Sequence, residues 1–204
     1  MKPGKMELII EAGGTSSSFY TLKGNITTEY SSSGFNPNSH TWAEFNHLLS
    51  GVPDTDFSTV HYYGAGVGNP GTKLKIKELL AARFNARQIH IESDLLGAAR
   101  ACLGNQQGLI AILGTGTSIA RYDGKELHFK SLSGGYLIGD PGSGFELGRK
   151  LALAWLCGDL PEALKQSLES YCGTDALEFR NRVYGSKTPV RDIAHLSKWA
   201  GLHR

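Results

Sequence analysis

The sequence predicts an α/β protein built on a mixed sheet, in which one opening pattern is used twice. Three observations predict it. An apolar run over residues 6–12 stops at Gly13-Gly14-Thr15, and hairpin-connected strand patterns follow it before helix and strand patterns alternate. The same opening returns from Gly108, where an apolar run stops at Gly114-Thr115-Gly116. Finally, 26 of the 204 residues are glycine, well above the ~7% of average usage. They cluster in particular turns, which marks backbone held close to a ligand rather than disorder.

The elements follow in order. Residues 6–12 (MELIIEA) read as a buried strand entering a tight turn. Residues 18–23 and 26–33 are strands joined at Gly24-Asn25. Apolar residues at helical spacing fill 41–49, and 59–63 is a strand ending at Gly64-Ala65-Gly66. An amphipathic helix over 74–84, a strand over 88–91 and a helix over 94–103 complete the first half. In the second half, 109–113, 118–122 and 127–130 are strands, with Asp123-Gly124 as the hairpin turn. The helix-strand-helix remainder of the first half does not recur. Instead 145–155, 161–171, 174–184 and 190–199 are all helical in pattern. The boundary falls near residues 105–108, giving domains of 1–106 and 107–204 with no low-complexity linker.

Composition narrows the partners. Hydrophobic residues are 40% and charged residues 20% of the chain, ordinary for a soluble globular protein. A net charge of +2 without clustered Lys and Arg points away from nucleic acid and membrane surfaces. Cys102, Cys157 and Cys172 have no metal-ligand spacing, and an odd count argues against a disulfide framework, so a reducing cytoplasm fits best. The first fourteen residues do not read as a signal peptide, and no apolar run approaches the ~20 residues of a membrane span.

Four motifs carry chemistry. Glu11-Ala12-Gly13-Gly14-Thr15-Ser16-Ser17 ends the first strand. Such a turn offers backbone N–H groups and a Thr hydroxyl to phosphate oxygens, although taken alone it also reads as an ordinary hairpin. It is not a P-loop, because no Gly-Lys-Ser/Thr follows. Gly114-Thr115-Gly116-Thr117 holds the matching place in the second unit. Two such turns at equivalent positions fit the gripping of a polyphosphate from opposite sides. Asp94 sits at a strand-to-helix junction, where an Asp is often a helix cap. Ser93 is equally placed to cap, and a carboxylate at the carboxyl end of a strand is placed to take a proton from a substrate hydroxyl. The last motif, Gly134 to Gly144, has an Asp and a Ser among its glycines and reads as a ligand-coating loop, or simply as a long loop before a helix.

These stretches resemble the N-acetylglucosamine kinases and BadF/BadG-type ATPases, within the actin and sugar-kinase fold superfamily. The resemblance spans about residues 8–151 and is most specific over 92–104 (ESDLLGAARACLG), 112–124 (ILGTGTSIARYDG) and 135–148 (GYLIGDPGSGFELG). It implies an actin-like ATPase (ribonuclease H-like) domain, followed by an incomplete second copy of three strands with a helical insert. It implies Gly13, Gly14 and Thr15 as the first phosphate motif and Gly114, Thr115, Gly116 and Thr117 as the second. Asp94 matches the catalytic base, and Asn36 a sugar-binding residue. Gly135, Tyr136, Asp140 and Ser143 fall in the loop that closes over the sugar. Glu11 stands where the family holds Mg²⁺ through water with an Asp. Ser16 replaces a Lys usual in the turn, and Pro141 replaces a Glu usual in the later loop.

The function implied is ATP- and Mg²⁺-dependent phosphorylation of an amino sugar such as N-acetylglucosamine. A sugar- or phosphate-binding protein without turnover is the alternative that Glu11 and Ser16 favour. A BadF-type activator ATPase would need a cluster-binding cysteine pattern, which these cysteines do not supply. No adenosine-wrapping Gly-rich segment follows the helices, so the expectation is a second sheet left incomplete, with an edge that favours a homodimer.

Overall fold

The computed structural model describes residues 6–24, 26–53, 55–128 and 134–203. The chain divides into two compact units, Met1–Ile110 with Ala120–His128, and Ala111–Ile119 with Phe129–Arg204.

The first unit contains a five-stranded sheet of order β3-β2-β1-β4-β5. Its strands are β1 (Met6–Ala12), β2 (Ser16–Lys23), β3 (Ile26–Ser33), β4 (Thr59–Gly64) and β5 (Gln88–Ser93). β2 runs antiparallel to β1 and to β3, whereas β4 runs parallel to β1 and to β5. This is the mixed sheet that the sequence predicts. Alternation along the strands decides which face is dry. Leu8, Ile10 and Ala12 of β1, Phe19 of β2, and Val60 and Tyr62 of β4 all turn to one buried face. Helices α1 (Trp42–Leu49) and α2 (Pro70–Arg83) cover that face with Phe45, Leu48, Leu49, Ile76 and Leu80. Helix α3 (Asp94–Leu103) takes the opposite face, where Gly97 lies against the Tyr63 ring.

Local chemistry sets the helix ends. Thr41 and Glu44 form a reciprocal capping box at the start of α1. Helix α2 begins a turn earlier than its apolar spacing indicates, because Asn69 accepts the Thr72 N–H at 2.8 Å and Pro70 fits the first helical position.

Strands β6 (Gly108–Leu113), β7 (Thr117–Tyr122) and β8 (Leu127–His128) form a second sheet in that order, with residues of β6 and β7 in both units. The predicted strand over 127–130 is present as far as His128; Phe129 and Lys130 lie outside the described residues, as does Asn25 of the first hairpin. Asp123 shapes the second hairpin by accepting the Lys125 and Glu126 N–H groups and bonding His128 at 2.7 Å.

The second unit is mainly helical: α5 (Gly144–Cys157), α6 (Glu162–Cys172), α7 (Ala176–Tyr184) and α8 (Pro189–Leu202). Their core is Trp155, Leu168, Phe179, Val183, Leu196 and Trp199. Helices α5 and α6 end at Gly158 and Gly173, both left-handed. A short helix, α4 (Gly135–Ile138), occupies part of the stretch that sequence reading treats as loop. Among the described residues no helix is long and apolar enough to cross a membrane.

Helices α5 and α8 meet closely at one point. A Cβ at Gly148 would fall 1.9 Å from the Ile193 carbonyl oxygen. Gly148→Ala should therefore lower stability by about 1–3 kcal/mol through overpacking, read as a lower urea midpoint by circular dichroism. An unchanged midpoint would show that the two helices do not meet there.

Candidate functional site

In the first unit the three parallel strands end level with one another. Ala12 is aligned with Gly64, and Gly64 with Ser93. The chain therefore leaves all three strands at one edge, and the Gly13-Gly14-Thr15 turn, the Gly64-Ala65-Gly66 loop and Asp94 are neighbours by construction. Hydrogen bonds hold them. Gly13 N–H donates to the Ser16 carbonyl at 3.0 Å, closing the turn, and Ala65 N–H donates to the Ala12 carbonyl at 2.9 Å.

The segment after β3 is drawn onto the same edge. Phe35 N–H donates to the Gly13 carbonyl at 2.9 Å. A Cβ at the preceding Gly34 would lie 2.3 Å from the Thr15 nitrogen and 2.5 Å from the Gly13 oxygen and the Ser16 nitrogen. No side chain fits at 34 without displacing the turn. Asn36 follows, with its Oδ1 accepting the Asn38 N–H at 3.0 Å and lying 2.3 Å from where a Gly66 Cβ would stand. Its own backbone N–H donates to His40 Nδ1 at 3.1 Å.

Asp94 does two things at once. Ser93 is the helix cap, its Oγ accepting the Leu96 N–H at 3.2 Å, yet Asp94 Oδ1 also accepts the Leu95 N–H at 2.8 Å. Capping thus uses one carboxylate oxygen, not the whole group. Burial pushes the Asp94 carboxyl up from its ordinary value, against the Leu95 N–H, which lowers it. Glu11, at the end of β1, is raised as well, by partial loss of hydration and then by the charge of Asp94. Two carboxylates on one edge each hold a proton more tightly than in water.

Sequence-predicted residues of the second unit also come together. Gly114 N–H donates to the Gly116 carbonyl at 2.9 Å, forming the turn. Gly144 N–H then donates to the Gly114 carbonyl at 2.8 Å, and Phe145 N–H to the Thr115 carbonyl at 3.1 Å. Thr117 Oγ1 donates to the Pro141 carbonyl at 3.1 Å, and a Cβ at Gly116 would meet Asp140 Oδ2 at 2.6 Å. Asp140 itself has a positive φ of 55°, an uncommon conformation for a residue with a side chain. Ser143 is buried, with its hydroxyl accepting the Glu146 N–H at 3.1 Å as the cap of α5. Glu146 Oε2 accepts the Gly142 N–H at 2.6 Å. Gly135 opens α4, and the Tyr136 ring meets Phe145 edge-on at 5.4 Å. The turn and the later loop are one hydrogen-bonded body within this unit.

Sequence reasoning gave Gly34, Gly66 and Glu146 no role in the site, although Gly66 stood in the strand-ending Gly64-Ala65-Gly66. Glu146 carried a local signal, the Ser-x-x-Glu spacing of a helix start. The glycines' contacts are with residues distant in sequence.

Gly14 and Thr15 are exposed at the tip of the first turn, open to phosphate oxygens. Among the described residues no three His, Cys, Asp or Glu side chains converge to hold a metal ion unaided. Mg²⁺ does not need them, since it keeps several waters and takes one or two carboxylates plus phosphate oxygens. Glu11 fits that role.

No family model matches the chain, and no curated protein does. Solved structures do. A candidate N-acetylglucosamine kinase from Porphyromonas gingivalis is 30% identical, with a TM-score of 0.87, over 97% of this chain and 73% of its own. The chain belongs to the N-acetylglucosamine kinase family. A second candidate N-acetylglucosamine kinase, from Chromobacterium violaceum, is 18% identical with a TM-score of 0.72, covering 95% of this chain and 73% of its own, a likeness of fold. The α/β architecture of this kinase-family chain is thus that of sugar-kinase-like proteins.

The raised Asp94 gives a stability prediction. A carboxyl that binds its proton more tightly when folded contributes stability that is present below its unfolded pKa and is lost as pH rises through the folded pKa. Asp94→Asn keeps the bond to Leu95 and removes the buried charge. It should melt higher than the parent at pH 7, with the difference vanishing below about pH 4. A variant that melts lower at pH 7 would show that the charge is stabilised by its surroundings.

Proposed function

We propose that the protein transfers the γ-phosphoryl group of Mg²⁺-ATP to a hydroxyl of an amino sugar such as N-acetylglucosamine. The observation that carries this reading is Asp94: a carboxylate with raised proton affinity, at the carboxyl end of β5, beside a phosphate-type turn and Asn36. The sugar oxygen attacks the γ-phosphorus, the bond to the β-phosphate oxygen breaks, ADP leaves, and the hydroxyl proton passes to Asp94. Each unit then contributes one phosphate-type turn of its own, Gly13, Gly14 and Thr15 in the first and Gly114, Thr115, Gly116 and Thr117 in the second. Asn36 is the sugar-binding residue of the first unit, and Gly135, Tyr136, Asp140 and Ser143 form the sugar loop of the second. These roles extend the family's pattern to matching positions.

The first turn has no Lys or Arg, and the two nearby carboxylates repel a bare triphosphate. On this reading Glu11 would hold Mg²⁺ through water, and the cation would supply the positive charge that the turn lacks. The same absence of a cation favours a second reading, a protein that binds sugar and phosphate without turnover. For either case we infer a cytoplasmic homodimer acting on small molecules, with a ribonuclease H-like domain over 1–106 and the three-stranded start of a second one, with a helical insert, over 107–204.

A coupled ADP-release assay with Mg²⁺-ATP and N-acetylglucosamine, paired with calorimetry of sugar binding, separates the readings. Turnover should fall ~100- to 10,000-fold in Asp94→Asn while sugar affinity is nearly kept. Equal turnover by both proteins would leave Asp94 a helix-capping residue. Sugar binding without turnover by the parent protein would establish the second reading.

A further inference from the structure

Among the described residues, three buried side-chain polar atoms have no hydrogen-bond partner: Ser17 Oγ, Tyr62 Oη and Trp155 Nε1. Two of them belong to the first unit, and both lie at the carboxyl-end edge of its sheet. Register fixes this. Ser17 is aligned with Ala12, and Ala12 with Gly64, so these residues make one cross-strand row on the core face. Tyr62 is one step back on that face. Its ring leans along β4 until the hydroxyl fills the space of an absent side chain, for a Cβ at Gly64 would lie 2.6 Å from Tyr62 Oη. Gly64 in turn is aligned with Ser93, the residue before Asp94. The phenol therefore points along the strand toward the edge where Asp94 and Asn36 stand.

A tyrosine is a poor choice here for the fold alone. Its side chain is 0% exposed, and an unpaired buried hydroxyl costs free energy that phenylalanine avoids. Phenylalanine would also keep the edge-on contact with Phe45 at 5.9 Å. Burial, with the charges of Asp94 and Glu11 added, pushes the phenol well above its ordinary value. It stays protonated, a donor facing a site whose two carboxylates only accept.

We propose that Tyr62 is a specificity-determining residue whose O–H is reserved for one oxygen of the sugar that binds over Gly64 beside Asp94. The proposal rests on the amino-sugar reading above. Because the hydroxyl has no exposed surface, its engagement requires a shift of Ala65-Gly66, just past the paired end of β4, where Gly66 has a positive φ.

Tyr62→Phe tests it. The variant should melt no lower than the parent, while its affinity for N-acetylglucosamine by calorimetry falls about tenfold. Repeating the titration with monodeoxy analogues of the sugar should identify one analogue that the two proteins bind equally, since that analogue lacks the oxygen Tyr62 serves. A lower melting temperature would assign the hydroxyl to a buried structural partner and overturn the proposal. So would an unchanged sugar affinity in a parent that binds the sugar. A parent protein that binds no amino sugar sinks the underlying reading, and the proposal with it.

Discussion

The first unit depends on one alignment, the level ending of three parallel strands at Ala12, Gly64 and Ser93. Parallel register lets three chemically different exits open on the same edge: a glycine turn, a glycine loop and the N-terminus of a helix. The turn holds its shape because Gly34 is packed against three of its backbone atoms and Phe35 is bonded to it. Phe35 is fully buried in the core beneath. Core packing and turn geometry are thus the same contact seen from two sides. The segment that carries Asn36 to the edge is held by the burial of Phe35 and by the Phe35 bond to Gly13, while Asn36 shapes the turn that follows.

Electrostatics then differentiates the groups gathered there. Asp94 lies at the first turn of α3, where the helix end favours a negative charge, and it accepts the Leu95 N–H. Both effects work to keep it ionised. Burial works the other way and wins. A carboxylate balanced in this way is a better proton acceptor than a fully solvated one, because its proton affinity moves toward the working pH. Glu11 is raised partly by Asp94 itself, so a cation between them would relieve both. The edge is therefore built to be incomplete electrostatically, which is common for sites and unusual for ordinary surface.

The strands were legible because their signals are local. Residues 6–12 read as a strand from sequence and form β1 over the same span, since an apolar run and a Gly-Gly stop coincide. Asp94 and Ser93 were legible as rivals for one cap, and the structure divides the work between them. The start of α2 was not legible from periodicity, because its first turn, Pro70-Gly71-Thr72-Lys73, contributes no buried apolar side chain and is fixed by the Asn69 cap. Neither was Gly34, whose constraint comes from a turn distant in sequence. Tyr62 and Tyr63 look alike in the chain. Only the pairing of β4 with β1 decides that one is buried among core residues while the other lies under Arg100, whose guanidinium hydrogen-bonds its hydroxyl.

The second unit treats Pro141 in a way that bears on the loss of a carboxylate there. Proline has no N–H to donate, but its carbonyl remains, and it accepts the Thr117 hydroxyl. The adjacent Gly142 N–H is then taken by Glu146 reaching back from the first turn of α5. Lys150 lies one turn further along that helix, 2.8 Å from the other Glu146 oxygen. A carboxylate thus stands against the loop although position 141 does not supply one. Lys150 and the Gly142 N–H hold its carboxyl below the ordinary carboxylate value. Because the Gly144 and Phe145 N–H groups bind the carbonyls of Gly114 and Thr115, a displacement of this loop necessarily strains the glycine turn. On the kinase reading, a shift of the segment from Pro141 to Phe145 would carry the turn at 114–117 with it.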